Sequence, residues 1–343
     1  MNFASDNTSG AAPEVMAALM RANDGCASGY GNDAMTMRVR DMVREVFDAP
    51  QAAVYLVSTG TAANALALSV YCPPWGAVFC HTHAHIAEDE CGAPEFYTGG
   101  AKLVLVPGAH GKMTPEGLAA TIARTGTGGV HGVQRGMVSM TNLTEAGTVY
   151  TPAEVAALVA VAKAEGLPIH LDGARFANAL VATGATAAEM TWKAGVDVVS
   201  FGGTKNGCLG VEAVVMFDPA KAWEFELRRK RGGHLASKNR FLAAQMEAYL
   251  TDDLWLRLAG HANAMGAHLV EGLRKMNDVS LLHPAEANIS FPHFPAGTHA
   301  RALAAGAVYY EMPAPEGREA ARFVASWSTT PEDVDGLLAA LRG

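Results

Sequence analysis

The chain has 343 residues, of which 50% are hydrophobic and 17% are charged, and its formal net charge is -8. A chain of this length can form two domains with a large buried core, and its 36 glycines fit a buried parallel sheet with many tight turns. The acidic charge excludes the basic surface that a nucleic-acid-binding protein needs. Composition therefore favours an enzyme that acts on small molecules.

The sequence carries no signal for export or for a membrane. The first twenty residues lack a basic start followed by an apolar stretch, and no apolar run reaches the roughly 18 residues that a span needs. We therefore expect no membrane contact and a cytoplasmic location. The cysteines are odd in number and widely spaced, which predicts neither a disulfide framework nor a zinc site. They are Cys26, Cys72, Cys80, Cys91 and Cys208.

Apolar spacing predicts two helices at the start of the chain and then an alternation of strands and helices. Residues 13–21 and 33–47 have helical spacing, and Thr151 with Glu154 forms a capping box that begins a helix ending near residue 165. The alternation is typical of an open, mainly parallel sheet, so we expect a large α/β domain. The predicted strands are 54–57, 77–81, 102–106, 136–141, 167–171, 196–201 and 211–217.

The pattern changes near residue 246. A long helix is predicted over 252–276, short strands follow it, and a final helix begins at Pro331. This part of the sequence predicts a smaller α+β domain. We place the large domain, with its N-terminal arm, at 1–245 and the small domain at 246–343. The short strands are predicted over 279–282, 287–291, 308–310 and 322–326.

The turn after the first predicted strand is a candidate phosphate site. Ser58, Thr59, Gly60 and Thr61 lie between that strand and a helix that is evident from Ala65 onward. Free backbone N–H groups and the positive end of a helix dipole bind phosphate at such a turn. Taken alone, the segment is equally compatible with an ordinary strand-to-helix turn that has a Ser/Thr cap.

Asp172 and Lys205 each follow a strand-like apolar run. Singly, the acid is compatible with a helix cap and the lysine with a solvated loop. Pyridoxal phosphate (PLP) needs both: an amine that binds its aldehyde as a Schiff base, and a carboxylate that keeps its ring nitrogen protonated. Because the carboxyl ends of parallel strands meet at one edge, Asp172, Lys205 and the phosphate turn together predict a PLP enzyme.

At this point the sequence resembles the threonine aldolase family of fold-type I PLP enzymes, which includes low-specificity aldolases and phenylserine aldolases. The resemblance covers nearly the whole chain. It implies an aspartate aminotransferase-like large domain with a mainly parallel sheet, a small α+β C-terminal domain and bound PLP. The motifs that carry it are Ser5-Asp6-Asn7, Tyr30-Gly31-Asn32-Asp33, the turn from Ser58 to Asn64, His85, Asp172-Gly173-Ala174-Arg175, Lys205 and Arg322.

The activity that the resemblance implies is retro-aldol cleavage of L-β-hydroxy-α-amino acids to glycine and an aldehyde. The substrates would be threonine, allo-threonine and phenylserine. His85 would stack on the cofactor ring, Lys205 would form the Schiff base, and Arg322, placed at the start of an apolar strand, would bind the substrate carboxylate. The other residues that the resemblance assigns to cofactor or substrate are Ser5, Tyr30, Arg175 and Lys230.

The histidines His81, His83 and His85 follow the second predicted strand at alternate positions. Alternate spacing places side chains on one side only while a strand continues. No acid or cysteine completes a convincing ligand set, so we predict no metal site here.

One loop departs from the family. Part of the family has a histidine in the loop after the strand that here ends at Thr141, whereas this chain has residues 142–147 with Glu145 among them. The group that takes the β-hydroxyl proton therefore stays open among His85, Glu145 and an ordered water. The preferred β-substituent and the choice between threo and erythro substrates also stay open, because they depend on loop shapes.

Two other functions are compatible with the same residues. PLP also supports β-elimination and transamination, and which bond is cleaved depends on how the substrate is positioned. A PLP-binding regulatory protein without turnover is the non-enzymatic alternative, against which intact Asp172, Lys205 and Arg322 argue. The resemblance further implies a homotetramer, built from two-fold dimers that share their active sites.

Overall fold

The computed structural model describes residues 1–342, and within them the strands form two sheets. The large sheet contains β1 (Ala53–Val57), β2 (Gly76–His81), β3 (Lys102–Val106), β4 (Gln134–Thr141), β5 (Ile169–Gly173), β6 (Val198–Gly202) and β7 (Glu212–Met216). The small sheet contains β8 (Ser280–Leu281), β9 (Ile289–Ser290), β10 (Pro292–Pro295), β11 (Tyr310–Met312) and β12 (Arg318–Val324).

Helices connect these strands and cover the large sheet. Those before β4 are α1 (Pro13–Ala22), α2 (Ala34–Val46), α3 (Gly60–Tyr71), α4 (His85–Glu88), α5 (Ala93–Thr98) and α6 (Pro115–Ala123). Those after β4 are α7 (Pro152–Ala164), α8 (Phe176–Thr183), α9 (Ala187–Met190), α10 (Ala222–Arg231), α11 (Arg240–Leu250), α12 (Leu254–Arg274), α13 (Thr298–Ala304) and α14 (Pro331–Arg342).

The large sheet has the order β1-β7-β6-β5-β4-β2-β3 and is mainly parallel. β7 is antiparallel to both of its neighbours, and therefore β1 runs in the same direction as β6. In the register, Asp172 lies between Thr141 of β4 and Ser200 of β6. The carboxyl ends of β1, β4, β5 and β6 consequently meet at one edge of the sheet, which confirms the predicted fold class.

Both faces of the large sheet are buried along β1 and β7, because these strands alternate between two apolar clusters. Leu56 and Val215 belong to a cluster on one face, whereas Tyr55 and Val214 belong to a cluster on the other. The first cluster includes residues of α1, α2, α7 and α11, and the second includes residues of α3 and α10. The domain is therefore a three-layer sandwich of helices, sheet and helices.

An aromatic cluster fills the core at the end of β6. The ring of Phe201 lies 5.5 Å from that of Phe47, 6.0 Å from that of Phe176 and 5.4 Å from that of Trp255, with edge-to-face geometry in each case. Edge-to-face pairs of this kind add to the stabilisation from burial alone. Because the strand continues through Gly202 toward Lys205, this cluster fixes the position from which the lysine loop begins.

The N-terminal arm lies against the small sheet. The backbone N–H of Phe3 donates to the carbonyl of Val308 at 2.7 Å, and the N–H of Val324 donates to the carbonyl of Phe3 at 2.9 Å. The Phe3 ring is buried with Phe323 in the core beneath that sheet. Residues 2–4 thus add backbone pairing to the part of the chain that follows residue 280, while the proposed boundary at 245 stays a prediction.

Several predicted elements agree with the structure, and the differences have physical reasons. The capping box of Thr151 and Glu154 is present at the start of α7. Helix α3 begins at Gly60, earlier than the apolar pattern indicated, because Thr59 caps it. Arg322 does not begin a strand as expected: β12 begins at Arg318, and polar residues there hid its start.

We expect Phe201→Ala to lower the free energy of unfolding by about 3–5 kcal/mol, because it removes a fully buried ring from a close-packed cluster. Phe96→Ala is the matched control, since the Phe96 side chain is 79% exposed. Chemical denaturation of both variants measures the difference. Equal stability losses in the two variants would contradict the structural role of the aromatic cluster.

Candidate active site

Two adjoining cavities lie at the carboxyl edge of the large sheet. The inner one has a volume of about 240 Å³ and the outer one a volume of about 840 Å³. A small group of polar side chains lines both cavities and therefore lies where they meet. These residues are Asn7, His85, Glu145, Arg175 and Lys205.

The turn before α3 forms one end of the inner cavity. The side-chain oxygen of Thr59 accepts a hydrogen bond from the N–H of Ala62 at 3.1 Å and so caps the helix. Ser58, Gly60 and Thr61 line the cavity beside it. A Cβ atom added at Gly60 would have no heavy atom within 4 Å, so space is open above the helix N-terminus. This arrangement suits a phosphate group.

Asp172 is buried at the end of β5, and each of its carboxyl oxygens accepts a hydrogen bond. The amide of Asn64 donates to Oδ2 at 2.9 Å, and the backbone N–H of Ala174 donates to Oδ1 at 3.0 Å. Asn64 lies on α3, so one helix both presents the phosphate turn and orients the acid. A fixed, buried carboxyl of this kind suits a protonated ring nitrogen.

His85 is oriented by a buried acid. Its Nδ1 lies 2.9 Å from Oε1 of Glu90, which also accepts from the amide of Asn64 at 2.8 Å. The hydrogen bond with Glu90 raises the pKa of His85, while burial raises the pKa of Glu90. The predicted stacking role of His85 stays a prediction, and its place at the junction of the cavities is compatible with it.

Lys205 lies at the same junction, where a short turn follows β6. Burial lowers the pKa of its amine, and the nearby Arg175 guanidinium lowers it further. A lower pKa increases the neutral fraction of the amine, and only the neutral form attacks a carbonyl. The lysine therefore has the environment that its predicted role requires.

Arg175 forms a buried ion pair with Asp6 of the N-terminal arm. Nε donates to Oδ2 at 2.6 Å and a terminal nitrogen donates to Oδ1 at 2.9 Å. The amide of Asn288 also contacts Asp6, at 3.4 Å. Sequence reasoning assigned Arg175 to cofactor or substrate but gave it no partner. The Ser5-Asp6-Asn7 motif contained the signal, because an acid in a short arm that packs on the protein needs a cation.

Arg322 lies within β12 and lines the outer cavity only. Its guanidinium is 5.6 Å from the ring centre of Tyr310, and burial lowers its pKa. A partly buried arginine fork that lines the outer cavity suits a carboxylate. Ser5 lines the same cavity, and its predicted contact with substrate stays a prediction.

Tyr30 and Lys230 are not brought to either cavity within the chain. The Lys230 amine instead lies 4.8 Å from the centre of the Tyr30 ring. Tyr30 has a φ of 60°, and its side chain is about half exposed. Their predicted substrate role therefore requires a site other than the one in their own chain.

Glu212 is a residue of the inner cavity that sequence reasoning missed. It accepts from the backbone N–H of Gly203 at 2.9 Å, and burial raises its pKa to about 7. The signal was an acid at the start of the apolar run 211–217. Asn64 and Glu90 were also missed as contacts of Asp172 and His85, because their sequence neighbours look like ordinary helix and loop.

The histidines after β2 have separate partners. His81 contacts the carbonyl of Gly108 at 3.0 Å, and His83 contacts Glu88 at 2.9 Å. Within residues 1–342, the side chains of His, Cys, Asp and Glu form no group of three or more that could hold a metal ion. In the same part of the chain, no helix combines the length and the apolar character that crossing a membrane requires.

The donor set of the inner cavity fits PLP. An open helix N-terminus suits its phosphate, the Lys205 amine suits its aldehyde, and the Asp172 carboxyl suits its ring nitrogen. In addition, Oδ1 of Asn64 is buried and has no partner among the described residues, so an acceptor remains for a ligand hydroxyl. Fold and cavity together define a fold-type I PLP-dependent enzyme.

Comparison with known proteins gives the family. The sequence model described as "Beta-eliminating lyase" matches residues 2–295. The low specificity L-threonine aldolase of Pseudomonas aeruginosa is 42% identical over 340 residues, which cover 99% of this chain and 96% of that protein. The chain belongs to the beta-eliminating lyase family, in the group that contains these threonine aldolases.

Solved structures agree. The structure of Leishmania major threonine aldolase superposes with a TM-score of 0.93 at 29% identity, covering 99% of this chain and 98% of that one. Serine palmitoyltransferase of Sphingomonas wittichii superposes with a TM-score of 0.70 at 18% identity, covering 100% of this chain and 86% of that one. The second comparison supports the fold alone.

We expect Asp172→Asn to retain PLP while lowering kcat by about 10- to 100-fold, because a hydrogen bond to a charged ring nitrogen is worth about 1.5–3 kcal/mol. The absorbance of bound cofactor measures occupancy, and steady-state kinetics measure turnover. Asp41→Asn, at an exposed position, is the control for loss of one negative charge. Normal turnover at full occupancy would show that another acid faces the ring.

Proposed function

We propose that this chain is a PLP-dependent aldehyde-lyase of the L-threonine aldolase type. It cleaves L-β-hydroxy-α-amino acids such as threonine, allo-threonine and phenylserine to glycine and an aldehyde. The observation that carries the proposal is the meeting of Lys205 and Asp172 in one cavity beside an open helix N-terminus. The full-length likeness to low specificity L-threonine aldolases supports the same reaction.

Several residues of the inner cavity have a task toward the cofactor. Residues 58–61 hold the phosphate, Asp172 holds the ring nitrogen, and His85 covers the ring. PLP, when bound, stabilises negative charge at the α-carbon of an amino acid attached to it. The Lys205 amine, with its lowered pKa, is placed to exchange a proton at the α-carbon when it is not bonded to the cofactor.

Residues of the outer cavity orient the substrate. Arg322 binds the α-carboxylate with its planar fork, and Ser5 contributes a hydroxyl to the same end of the cavity. Arg175 supplies positive charge between the two cavities while Asp6 holds its fork in place. Fixing the carboxylate sets which bond of the α-carbon is directed at the ring, and therefore which bond is cleaved.

β-Elimination is the second candidate, because the description of the matching family favours it. The products separate the two reactions: cleavage releases glycine and an aldehyde, whereas elimination from serine or threonine releases ammonia and a keto acid. A cytoplasmic location is the expectation from the sequence and stays a prediction.

We expect the purified protein to release glycine and the matching aldehyde from threonine, allo-threonine and phenylserine, and Lys205→Ala to keep less than ~1% of this turnover. Borohydride reduction followed by peptide mapping should place the cofactor on Lys205 alone. Lys193→Ala, which changes an exposed lysine, is the control. Ammonia and keto acid as the main products would favour elimination instead.

The oligomeric proposal is a homotetramer made of two catalytic dimers. The position of Tyr30 and Lys230 supports the catalytic dimer, since neither residue lines the cavities of its own chain although both match family motifs for substrate contact. A two-fold dimer presents the same surface from both chains, so each chain would supply these two residues to the site of its partner.

Subunit complementation tests the dimer. Lys205→Ala and Lys230→Ala chains are expected to be poorly active alone. An equal mixture should regain about a quarter of wild-type activity, because about half of its dimers are hybrids and one of the two sites in each hybrid keeps both lysines. Mixing after mild dissociation and assaying the pool gives the measurement. If both residues serve one site from the same chain, the mixture gains nothing over the parents.

A further inference from the structure

Glu145 lies at the junction of the two cavities, in the loop between β4 and α7. Its Oε1 accepts a hydrogen bond from the backbone N–H of His85 at 2.8 Å. Its Oε2 is buried and has no hydrogen-bond partner among the described residues. A buried carboxyl oxygen without a partner costs free energy unless a ligand satisfies it. The position therefore points to a contact with bound substrate.

Glu145 is also the acid that both cavities share. Among the described residues, the other acids of the inner cavity are Glu90, Asp172 and Glu212, and none of them lines the outer cavity. Glu88 and Asp89 line the outer cavity but not the inner one. A substrate whose α-carbon lies at Lys205 and whose side chain extends into the outer cavity would pass Glu145.

Several charged or titratable groups near Glu145 already have hydrogen-bond partners. Nδ1 of His85 is bound to Glu90 at 2.9 Å, so the ring has one fixed nitrogen. Both oxygens of Asp172 accept hydrogen bonds, and Arg175 is paired with Asp6. Among the acids of the described residues, Glu145 is the one that lines both cavities, and its Oε2 atom has no hydrogen-bond partner there.

The loop around Glu145 is held in one conformation. The N–H of Thr144 donates to the carbonyl of Thr148 at 3.0 Å, and their hydroxyls are 2.8 Å apart. The N–H of Val149 donates to Glu286 at 2.7 Å. Gly147 has a φ of 79°, and a Cβ there would lie 2.8 Å from the carbonyl oxygen of Ile289. A loop fixed on both sides presents Glu145 with little freedom to move.

The surroundings of Glu145 raise its pKa into the neutral range. Burial, and then the charge of Asp172, raise its pKa to about 7. The other titratable or charged groups that face it are the guanidinium of Arg175, the thiol of Cys80, the phenol of Tyr150, and His85 and Lys205 of the shared cavity lining. A base with a pKa near the working pH is well suited to transfer protons.

We propose that Glu145 is the catalytic base that accepts the proton of the substrate β-hydroxyl group, an assignment that rests on the proposed function. As the proton moves to Oε2, the O–H bonding pair forms the second bond of the aldehyde carbonyl. The Cα–Cβ bond breaks, and its electron pair remains on the α-carbon, where the cofactor stabilises it. Return of one proton to the α-carbon then completes glycine, and the proton on Glu145 leaves to solvent.

Glu145→Gln keeps the size of the side chain and removes the base. We expect it to lower kcat for cleavage by about 100-fold or more, and to leave exchange of the glycine α-proton with solvent within a few-fold of wild type, because glycine has no hydroxyl group. Glu286→Gln changes a glutamate outside the inner and outer cavities and is the control. Its amide oxygen can still accept from the N–H of Val149, so the loop stays held and cleavage should stay at the wild-type level.

The pH profile supplies a second measurement. Glu145 acts as a base only when ionised, so kcat/KM for cleavage should fall as the pH drops below about 7, the value to which its pKa is raised. Glu145→Gln should lack this limb. Glu145→Asp keeps a carboxyl group, so it should recover part of the cleavage together with the limb.

A titration that needs no turnover accompanies the kinetics. In the cofactor-free chain labelled with ¹³C at the glutamate carboxyl carbon, two resonances should titrate near pH 7, and one of them should be missing from Glu145→Gln. Glu212 has a raised pKa as well, and Glu212→Gln separates its signal from that of Glu145.

The outcomes distinguish a failure of the proposed function from a failure of the role assigned to Glu145. A wild-type chain that releases no glycine from any β-hydroxy amino acid overturns the proposed function, and the role of Glu145 with it. An active wild type with an equally active Glu145→Gln, or with a variant that loses cleavage and glycine exchange alike, overturns only the role of Glu145. Selective loss of cleavage, with partial recovery in Glu145→Asp, supports it.

Discussion

The active site depends on the burial of charged groups at one edge of the large sheet. Burial is costly for a charge unless a partner compensates it, and the structure provides partners for some of these groups. Arg175 has Asp6, and Asp172 has Asn64 with a backbone N–H. Groups with less compensation have shifted pKa values, toward neutral amine for Lys205 and toward neutral acid for Glu145. The same constraint therefore separates groups whose charge has a partner from groups whose pKa is shifted toward the neutral form.

Much of this arrangement was predictable from local sequence. The strand 102–106 has the predicted bounds, the capping box at Thr151 is present, and parallel strands bring Asp172 and Lys205 to one cavity. These features were accessible because they depend on strand periodicity, helix-capping chemistry and the direction of neighbouring strands. Each is set within a few residues or by the fold class, so one sequence is enough to find it.

The pairings between distant segments were not predictable in this way. Asp6 meets Arg175 across 169 positions of the chain, and the orientation of Glu145 depends on a backbone N–H from α4. Sequence reasoning named Glu145 as one of three open candidates, but its unpartnered oxygen becomes evident only when both cavities are in place. The start of β12 was missed because its first residues are polar, and Arg322 consequently lies within a strand where its beginning was expected.

The N-terminal arm links the position of the small sheet to the site. It is bonded to the small sheet through Phe3 and, three residues later, to the large domain through the pair of Asp6 with Arg175. Arg322 belongs to the same small sheet. A tilt of that sheet would therefore move Arg322, which we propose binds the substrate carboxylate, and would at the same time displace Asp6, which balances the charge of Arg175. A movement of the small sheet would in this way change both the shape of the substrate space and the charge around Lys205.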